Sequence, residues 1–325
     1  MKILFYYLMR WVCWKLEDIH DYIFGIHRKN VDYVFYPSSL WETLVYHYER
    51  KNQMEQFSYG AIKSEVLDTD WIITSLVEGV VLPTKVDYTP YMTPVRNQSN
   101  EGSCVGFATA VGVREYQEQI DWKGFIPLSP RYIYELAKKI SGSSSGTTLK
   151  AATQVCVKNG VCEEKYWKYV AGEPGKPEEG SDINAAGYRI QPGYVRVTNE
   201  KELKAALVKY GVLLLAVKVY KNWYRDNKTG HIPDTTWGEK YSGVLGGHAV
   251  ALVGYDDATK EYKFKNSWAY KDGTLWGDKG YGYLSYKELK FELMEAYCLV
   301  DIKTSGQKLM TVADIPFLKL FTSWV

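Results

Sequence analysis

An α+β fold is the class this sequence predicts. Three observations carry it: helix start and stop signals cluster before residue 160, apolar strand-like runs dominate after residue 186, and no internal repeat alternates the two. Gly102-Ser103-Cys104 leads into a helix over about 104–119, with Phe107, Val111 and Tyr116 near its inner face. Ser129-Pro130 opens a second helix, because serine caps an N-terminus and proline fits the first turn; it stops at the loop 141–146. A third helix covers about 148–159 and ends at Asn159-Gly160. The Gly-, Pro- and Glu-rich stretch 170–184 reads as a surface loop. Beyond it, 194–197 is a short strand, 200–211 an amphipathic helix and 212–220 a buried strand. Residues 248–257 and 261–268 are two strands joined at Asp256-Asp257, and 280–289 is a strand running into a turn.

Residues 1–80 are apolar, aromatic and poor in glycine and proline. Ser39-Leu40-Trp41-Glu42 has the form of a capping box, and Leu40, Leu44, Val45 and Tyr48 follow at helical spacing. Pro83, Pro90 and Pro94 then impose an extended stretch, since proline drives its predecessor out of the helical region. The run after Lys2 resembles the opening of a signal peptide, but Arg10 interrupts it and no small-residue cleavage site follows. No stretch of eighteen apolar residues spans a bilayer.

Composition excludes several classes. With 40 basic and 38 acidic residues the formal charge is +2, so charge gives no reason to expect nucleic acid. At 46% apolar residues the chain buries a real core. Five cysteines leave at least one unpaired, and neither Cys-x-x-Cys nor His-Glu-x-x-His is present, so no metal or other cofactor is expected. Cys156 and Cys162 are either buried thiols or a bridge.

One constellation carries chemistry. A cysteine nucleophile needs a thiolate, a base, a group that orients the base, and donors for the oxyanion. Cys104 opens a helix, where the backbone favours negative charge. Gln98 is an amide donor six residues earlier, and the Cys104 N–H is a second donor. His248 follows two glycines at the head of an apolar strand. Asn266 opens Asn-Ser-Trp on the next strand, where antiparallel pairing can set it on the same face as His248.

These residues sit in motifs that resemble the papain-like cysteine peptidases. The segment 82–108, LSPRYIYELA, the stretch 146–169, GGHAVALVGYDD, KNSW and WGDKGYGYL follow in the family's order over about 82–300, most like its bacterial and archaeal branch. The resemblance implies two lobes, a helical one over about 100–160 and a β-barrel-like one over about 186–300, with the cleft between them. It implies Cys104 as nucleophile, His248 as base, Asn266 as orienter and Gln98 at the oxyanion, with Trp268 shielding the Asn–His bond. It further implies an acidic Cys104, a His248 that holds its proton to higher pH, and substrate contacts at Gly146, Gly247, Ala249, Ala216 and Trp268. Two departures stand together: Glu101 occupies the place of a usual disulfide cysteine, and Ser143 that of its partner. Such a chain does not rely on oxidation, which favours the cytoplasm over secretion.

The expected organisation is an N-terminal extension over 1–81, a peptidase domain over 82–302 and an apolar tail over 303–325. The expected activity is cysteine-type peptidase action through a thioacyl intermediate on protein or peptide substrates. Its small residues Gly247 and Ala249, beside the strand carrying Ala216, lead to an apolar substrate side chain two residues before the cleaved bond. A silent binding or assembly module, or an exopeptidase or acyl transferase on the same site, stays open. The extension lacks the spaced Glu-Arg-Phe-Asn-Ile-Asn pattern of the common prosegment. It is either a divergent prosegment, with part of 60–85 crossing near Cys104, or an element docking the chain on a partner protein or membrane.

Overall fold

The computed structural model describes residues 57–301, apart from 69, 123, 226 and 227. The helix expected after Ser39, the fifth cysteine, Cys13, and the apolar tail lie outside the described residues.

Three helices form one lobe. Helix α1 is a continuous run made of Cys104–Phe107, a π-helical stretch Ala108–Arg114, and Glu115–Trp122. Phe107, Val111 and Tyr116 are buried as the pattern required. Helix α2, Pro130–Ser141, starts where Ser129 accepts the Tyr132 N–H at 3.1 Å and closes on left-handed Gly142. Helix α3, Leu149–Lys158, is capped by the Thr148 hydroxyl on the Ala151 N–H at 3.1 Å. The loop ahead of α3 carries a two-residue strand, β3 (Thr147–Thr148). It pairs in parallel with β1 (Ala61–Ile62) from upstream in the chain.

The second lobe is an eight-stranded sheet. Its strands are β2 (Lys85–Asp87), β4 (Pro192–Val197), β5 (Leu213–Val219), β6 (His231–Ile232), β7 (Gly246–Asp256), β8 (Glu261–Lys265), β9 (Tyr281–Ser285) and β10 (Leu293–Asp301). The order is β4-β10-β5-β7-β8-β9-β6, with β2 paired to the end of β7. Helix α5, Glu200–Tyr210, is capped by Asn199 and ends at Gly211.

Besides the two-residue strands β1 and β6, four elements differ from the sequence reading. Part of the loop 170–184 is helix α4, Ser181–Ala186, and Trp237–Ser242 forms α6 behind a Thr236–Glu239 capping box. Six residues are too few to display a helical period. After β9 the chain does not turn but enters helix α7, Tyr286–Glu292, capped by Ser285. Strand β10 follows without a glycine or proline between them, and lies inside the sheet between β4 and β5. Buried on both faces, it shows no alternation to read. Cys156 and Cys162 are both free and buried, so they form no bridge.

The lobes meet closely. An added Cβ at Gly112 would lie 2.5 Å from the Ala251 Cβ on β7, so glycine lets α1 approach the sheet. On the residue before it, the Val111 carbonyl accepts from the Lys265 ammonium at 3.0 Å, and that ammonium also reaches the Thr93 carbonyl at 2.8 Å. This fixes the end of β8, and hence the residue that follows it, against α1. Gly112→Ala gains helix propensity but overpacks this contact, with a net loss of about 1–3 kcal/mol. Denaturant unfolding measures it, and a more stable variant would contradict the close-packed reading.

Candidate active site

Each wall of the groove between the lobes is placed by a local rule. Cys104 is the first residue of α1, and the capping position before it is Ser103. The Ser103 hydroxyl caps no backbone group; it bonds the Tyr169 hydroxyl at 2.7 Å, while that hydroxyl donates to the Gln98 carbonyl at 2.7 Å. The loop ahead of the cysteine is thereby pinned at both ends. Glu101, within this loop, accepts both arms of the buried Arg131 guanidinium at 2.6 Å. An ion pair thus holds the position where the resemblance implied half a disulfide. Ser143 instead donates to the Ser145 carbonyl at 2.7 Å.

On the facing wall His248 is the third residue of β7, and Asn266 is the first residue past β8. The expected strand 261–268 ends three residues early, yet the pair still meets. His248 Nε2 and Asn266 Oδ1 are 2.7 Å apart. Trp268 stacks on the imidazole with centroids 4.1 Å apart, and Trp223 meets it edge-on at 5.9 Å. The Ser267 hydroxyl donates to Gln98 Oε1 at 2.6 Å. That bond turns the Gln98 Nε2 donor toward the groove.

The groove is filled by the chain itself. Gln98 Nε2 donates to the Ser58 carbonyl at 3.1 Å, and to the Glu101 carbonyl at 2.8 Å. The Gly60 N–H donates to the Gly247 carbonyl at 3.1 Å, and the Gly60 carbonyl accepts the Thr147 N–H at 2.8 Å. Phe57 stacks on Trp268 at 4.7 Å, and the Tyr59 hydroxyl bonds that of Tyr224. Side chains have no room on either wall: a Cβ on Gly146 would come within 2.5 Å of the Gly60 carbonyl oxygen, and one on Gly247 within 2.1 Å of the Ala61 oxygen.

Of the five residues expected to contact substrate, Gly146, Gly247 and Trp268 touch this segment. Ala216 and Ala249 are buried partners on adjacent strands β5 and β7. Sequence reasoning missed Ser267, Trp223 and Tyr169. Ser267 was readable, since it stands inside Asn-Ser-Trp; the other two carry no local signal.

The occlusion reverses one expectation. Cys104 and His248 are both fully buried. Burial pushes the Cys104 thiol up to about 11, although the N–H groups of Ala249, Gly60 and Val105 favour the thiolate. Burial likewise pushes His248 down to about 4, against the Asn266 bond. His248 Nδ1 has no hydrogen-bond partner among the described residues. Desolvation penalises both charged forms more than the surrounding dipoles return. In this closed state the pair is a neutral thiol and a neutral imidazole, not the acidic thiol and basic imidazole expected.

Chemically, the arrangement offers a helix-start thiol, an oriented imidazole and an amide donor already holding a peptide carbonyl. Residues 82–300 match the family model described as papain family cysteine protease. The chain is 31% identical over 229 residues to cathepsin K of Mus musculus, covering 68% of this chain and 65% of that protein. It is 30% identical over 213 residues to gamete and mating-type specific protein A of Dictyostelium discoideum, covering 60% of this chain and 41% of that one. Both matches thus span less than two thirds of the relative. Xylellain, a cysteine protease from Xylella fastidiosa, superposes with a TM-score of 0.66 at 28% identity, over 76% of this chain and 97% of its own. ProCathepsin B S9 from Trypanosoma congolense shares the fold, with a TM-score of 0.61 at 18% identity, over 77% of this chain and 88% of its own.

An imidazole whose folded pKa is depressed stays neutral until pH falls toward that value. In the full chain, the His248 ring resonances should therefore titrate well below 6.5, toward about 4. NMR of ring-labelled protein measures this, and a midpoint above 6.5 would contradict the buried neutral pair.

Proposed function

The chain belongs to the papain family of cysteine proteases, and we propose that it is a cysteine peptidase held closed by residues 57–62 of its own chain. The observation that carries this reading is the hydrogen bond from Gln98 Nε2 to the Ser58 carbonyl at 3.1 Å, within a groove that binds backbone on both walls. A groove that accepts an extended peptide so closely, next to a thiol and an oriented imidazole, is built for peptide chemistry.

In the open state His248 takes the Cys104 proton, and the thiolate sulfur attacks the substrate carbonyl carbon. The carbonyl π electrons move to oxygen, where Gln98 Nε2 and the Cys104 N–H stabilise the negative charge. As that charge collapses back, the C–N bond breaks and the imidazolium gives its proton to the departing amine. Water, deprotonated by His248, then attacks the thioester and releases the acid and the thiol. Asn266 keeps the imidazole in plane through both halves, and Trp268 covers the bond that does so.

The closed state follows from the same groups. Residues 57–62 occupy the carbonyl donor, both walls and the Trp268 face at once. Their position favours the intramolecular prosegment over a docking role for this part of the extension. Docking on a partner protein or membrane is left to the apolar terminal residues. Free buried thiols and an ion pair in place of a disulfide support a reducing, cytoplasmic setting.

The occlusion would equally suit a silent binding module, and activity separates the two readings. After limited proteolysis releases residues 57–62, the protein should hydrolyse fluorogenic peptides, and Cys104→Ala should abolish the hydrolysis. Gln98→Ala should lower kcat by about 10²–10³, the usual loss for one oxyanion donor. Turnover that survives in Cys104→Ala, or no turnover in the wild type once limited proteolysis has released residues 57–62, would overturn the peptidase reading.

A further inference from the structure

Two buried carboxyls on α7, those of Glu288 and Glu292, have no part in the mechanism above. They stand one turn apart and are 2% and 0% exposed. A buried carboxyl is costly unless donors satisfy it, and the donors here come from the His248 wall. Glu292 accepts the indole N–H of Trp223 on Oε2 at 2.9 Å and the side-chain amide of Asn222 on Oε1 at 2.9 Å. Both donors belong to one 3-10 turn, Lys221–Tyr224, which follows β5. Glu288 accepts the Thr235 hydroxyl and is hydrogen-bonded to Glu292. Burial, reinforced by Glu288, pushes the Glu292 carboxyl well above the ordinary carboxylate range, although Asn222 and Trp223 favour its charged form. Holding its proton, the carboxyl gives it to Glu288 while its carbonyl oxygen still accepts the indole.

Trp223 joins this pair to the chemistry. Its ring meets the imidazole of His248 edge-on at 5.9 Å, lies edge-on to Trp268 at 5.7 Å and stacks on Trp276 at 5.9 Å. Trp268 covers one face of the imidazole and Asn266 holds Nε2, so Trp223 bounds a side that neither controls. Apolar packing has no direction and does not by itself fix the rotation of an indole, whereas a hydrogen bond to its one N–H does. The next residue of the turn, Tyr224, bonds the Tyr59 hydroxyl of the occluding segment. When that segment leaves, the turn loses this tie and keeps the Glu292 bonds.

We infer that Glu292 is a positioning residue: through the indole N–H of Trp223 it fixes the plane of the His248 imidazole for both proton transfers. The inference deepens the peptidase reading and rests on it. A loosened imidazole slows proton transfer without weakening the grip on substrate, so the loss falls on kcat and not on KM.

Kinetics on one fluorogenic peptide, after limited proteolysis has released residues 57–62, test it. Glu292→Leu should lower kcat by about tenfold to a hundredfold, the reach of a small misplacement, and move KM by less than about twofold. Glu292→Gln should stay near the wild type, because its amide offers the indole a carbonyl and Glu288 an N–H. Trp223→Phe removes the N–H but keeps a ring, and should match the loss in Glu292→Leu. The double variant should fall no further than either single one. In the full chain Asn266 Oδ1 is an acceptor, so His248 Nε2 carries the ring proton. Its N–H resonance should persist in the wild type and in Glu292→Gln, and be lost to solvent exchange in Glu292→Leu. A folded Glu292→Leu with wild-type kcat, a rise in KM at unchanged kcat, or losses that add in the double variant overturns the inference. Should Glu292→Leu not fold, Trp223→Phe decides alone, and a wild-type kcat there overturns it. Absence of Cys104-dependent hydrolysis removes the peptidase reading, and the full-chain resonance then still decides whether Glu292 holds the imidazole.

Discussion

A single residue bridges the two walls of the groove. The Gly60 N–H bonds the Gly247 carbonyl at 3.1 Å on the sheet side, and the Gly60 carbonyl accepts the Thr147 N–H at 2.8 Å on the helix side. The gap between the lobes is therefore the width of one extended backbone. Everything lining that gap is arranged to respect it. Gly102, Gly146, Gly246 and Gly247 carry no side chain toward it, and a Cβ on Gly60 itself would lie 1.8 Å from the Gly102 oxygen. The close approach holds only because the lobes are themselves fixed, through Gly112 against Ala251 and through Lys265 on the Val111 carbonyl.

Filling the gap changes the chemistry as well as access. Water is excluded from Cys104 and His248, and both lose their charge to burial. What survives is geometry: the 2.7 Å His248–Asn266 bond, the Trp268 cover and the Ser267-oriented Gln98 amide stand ready without the charged pair. Occlusion thus blocks the substrate and neutralises the nucleophile by the same contact. The Glu101–Arg131 pair keeps the nucleophile loop in place where relatives of this fold were expected to use a disulfide, which makes that loop indifferent to redox conditions.

The site was more legible than the fold around it. Cys104, His248, Asn266 and Gln98 each sit in a short motif with glycine, serine or tryptophan beside them, and the resemblance of those motifs to the papain-like peptidases joined them into one site. The three helices of the first lobe announced themselves through Gly102-Ser103-Cys104, through Ser129-Pro130 and the loop 141–146, and through Asn159-Gly160, all of them local signals. Strand β10 and helix α7 did not, because a strand buried on both faces has no alternation and the chain passes from helix to strand with no turn residue. A crossing by some part of residues 60–85 was expected, and the observed stretch, 57–62, overlaps it at Gly60, Ala61 and Ile62. The reversed acidities of Cys104 and His248 could not be foreseen from motifs, since they depend on what covers the pair, which is a long-range property.

The central claim is that backbone at Gly60 holds the groove shut, and replacing that glycine tests it most directly. A valine there cannot fit under the Gly102 carbonyl. The rate of Cys104 alkylation by iodoacetamide at pH 7, measured by intact mass on the folded full chain, should rise by about tenfold or more in Gly60→Val, the effect of shifting the closed equilibrium by about 1.4 kcal/mol. A rate equal to or below that of the wild type, in a variant with unchanged circular dichroism, would contradict the account.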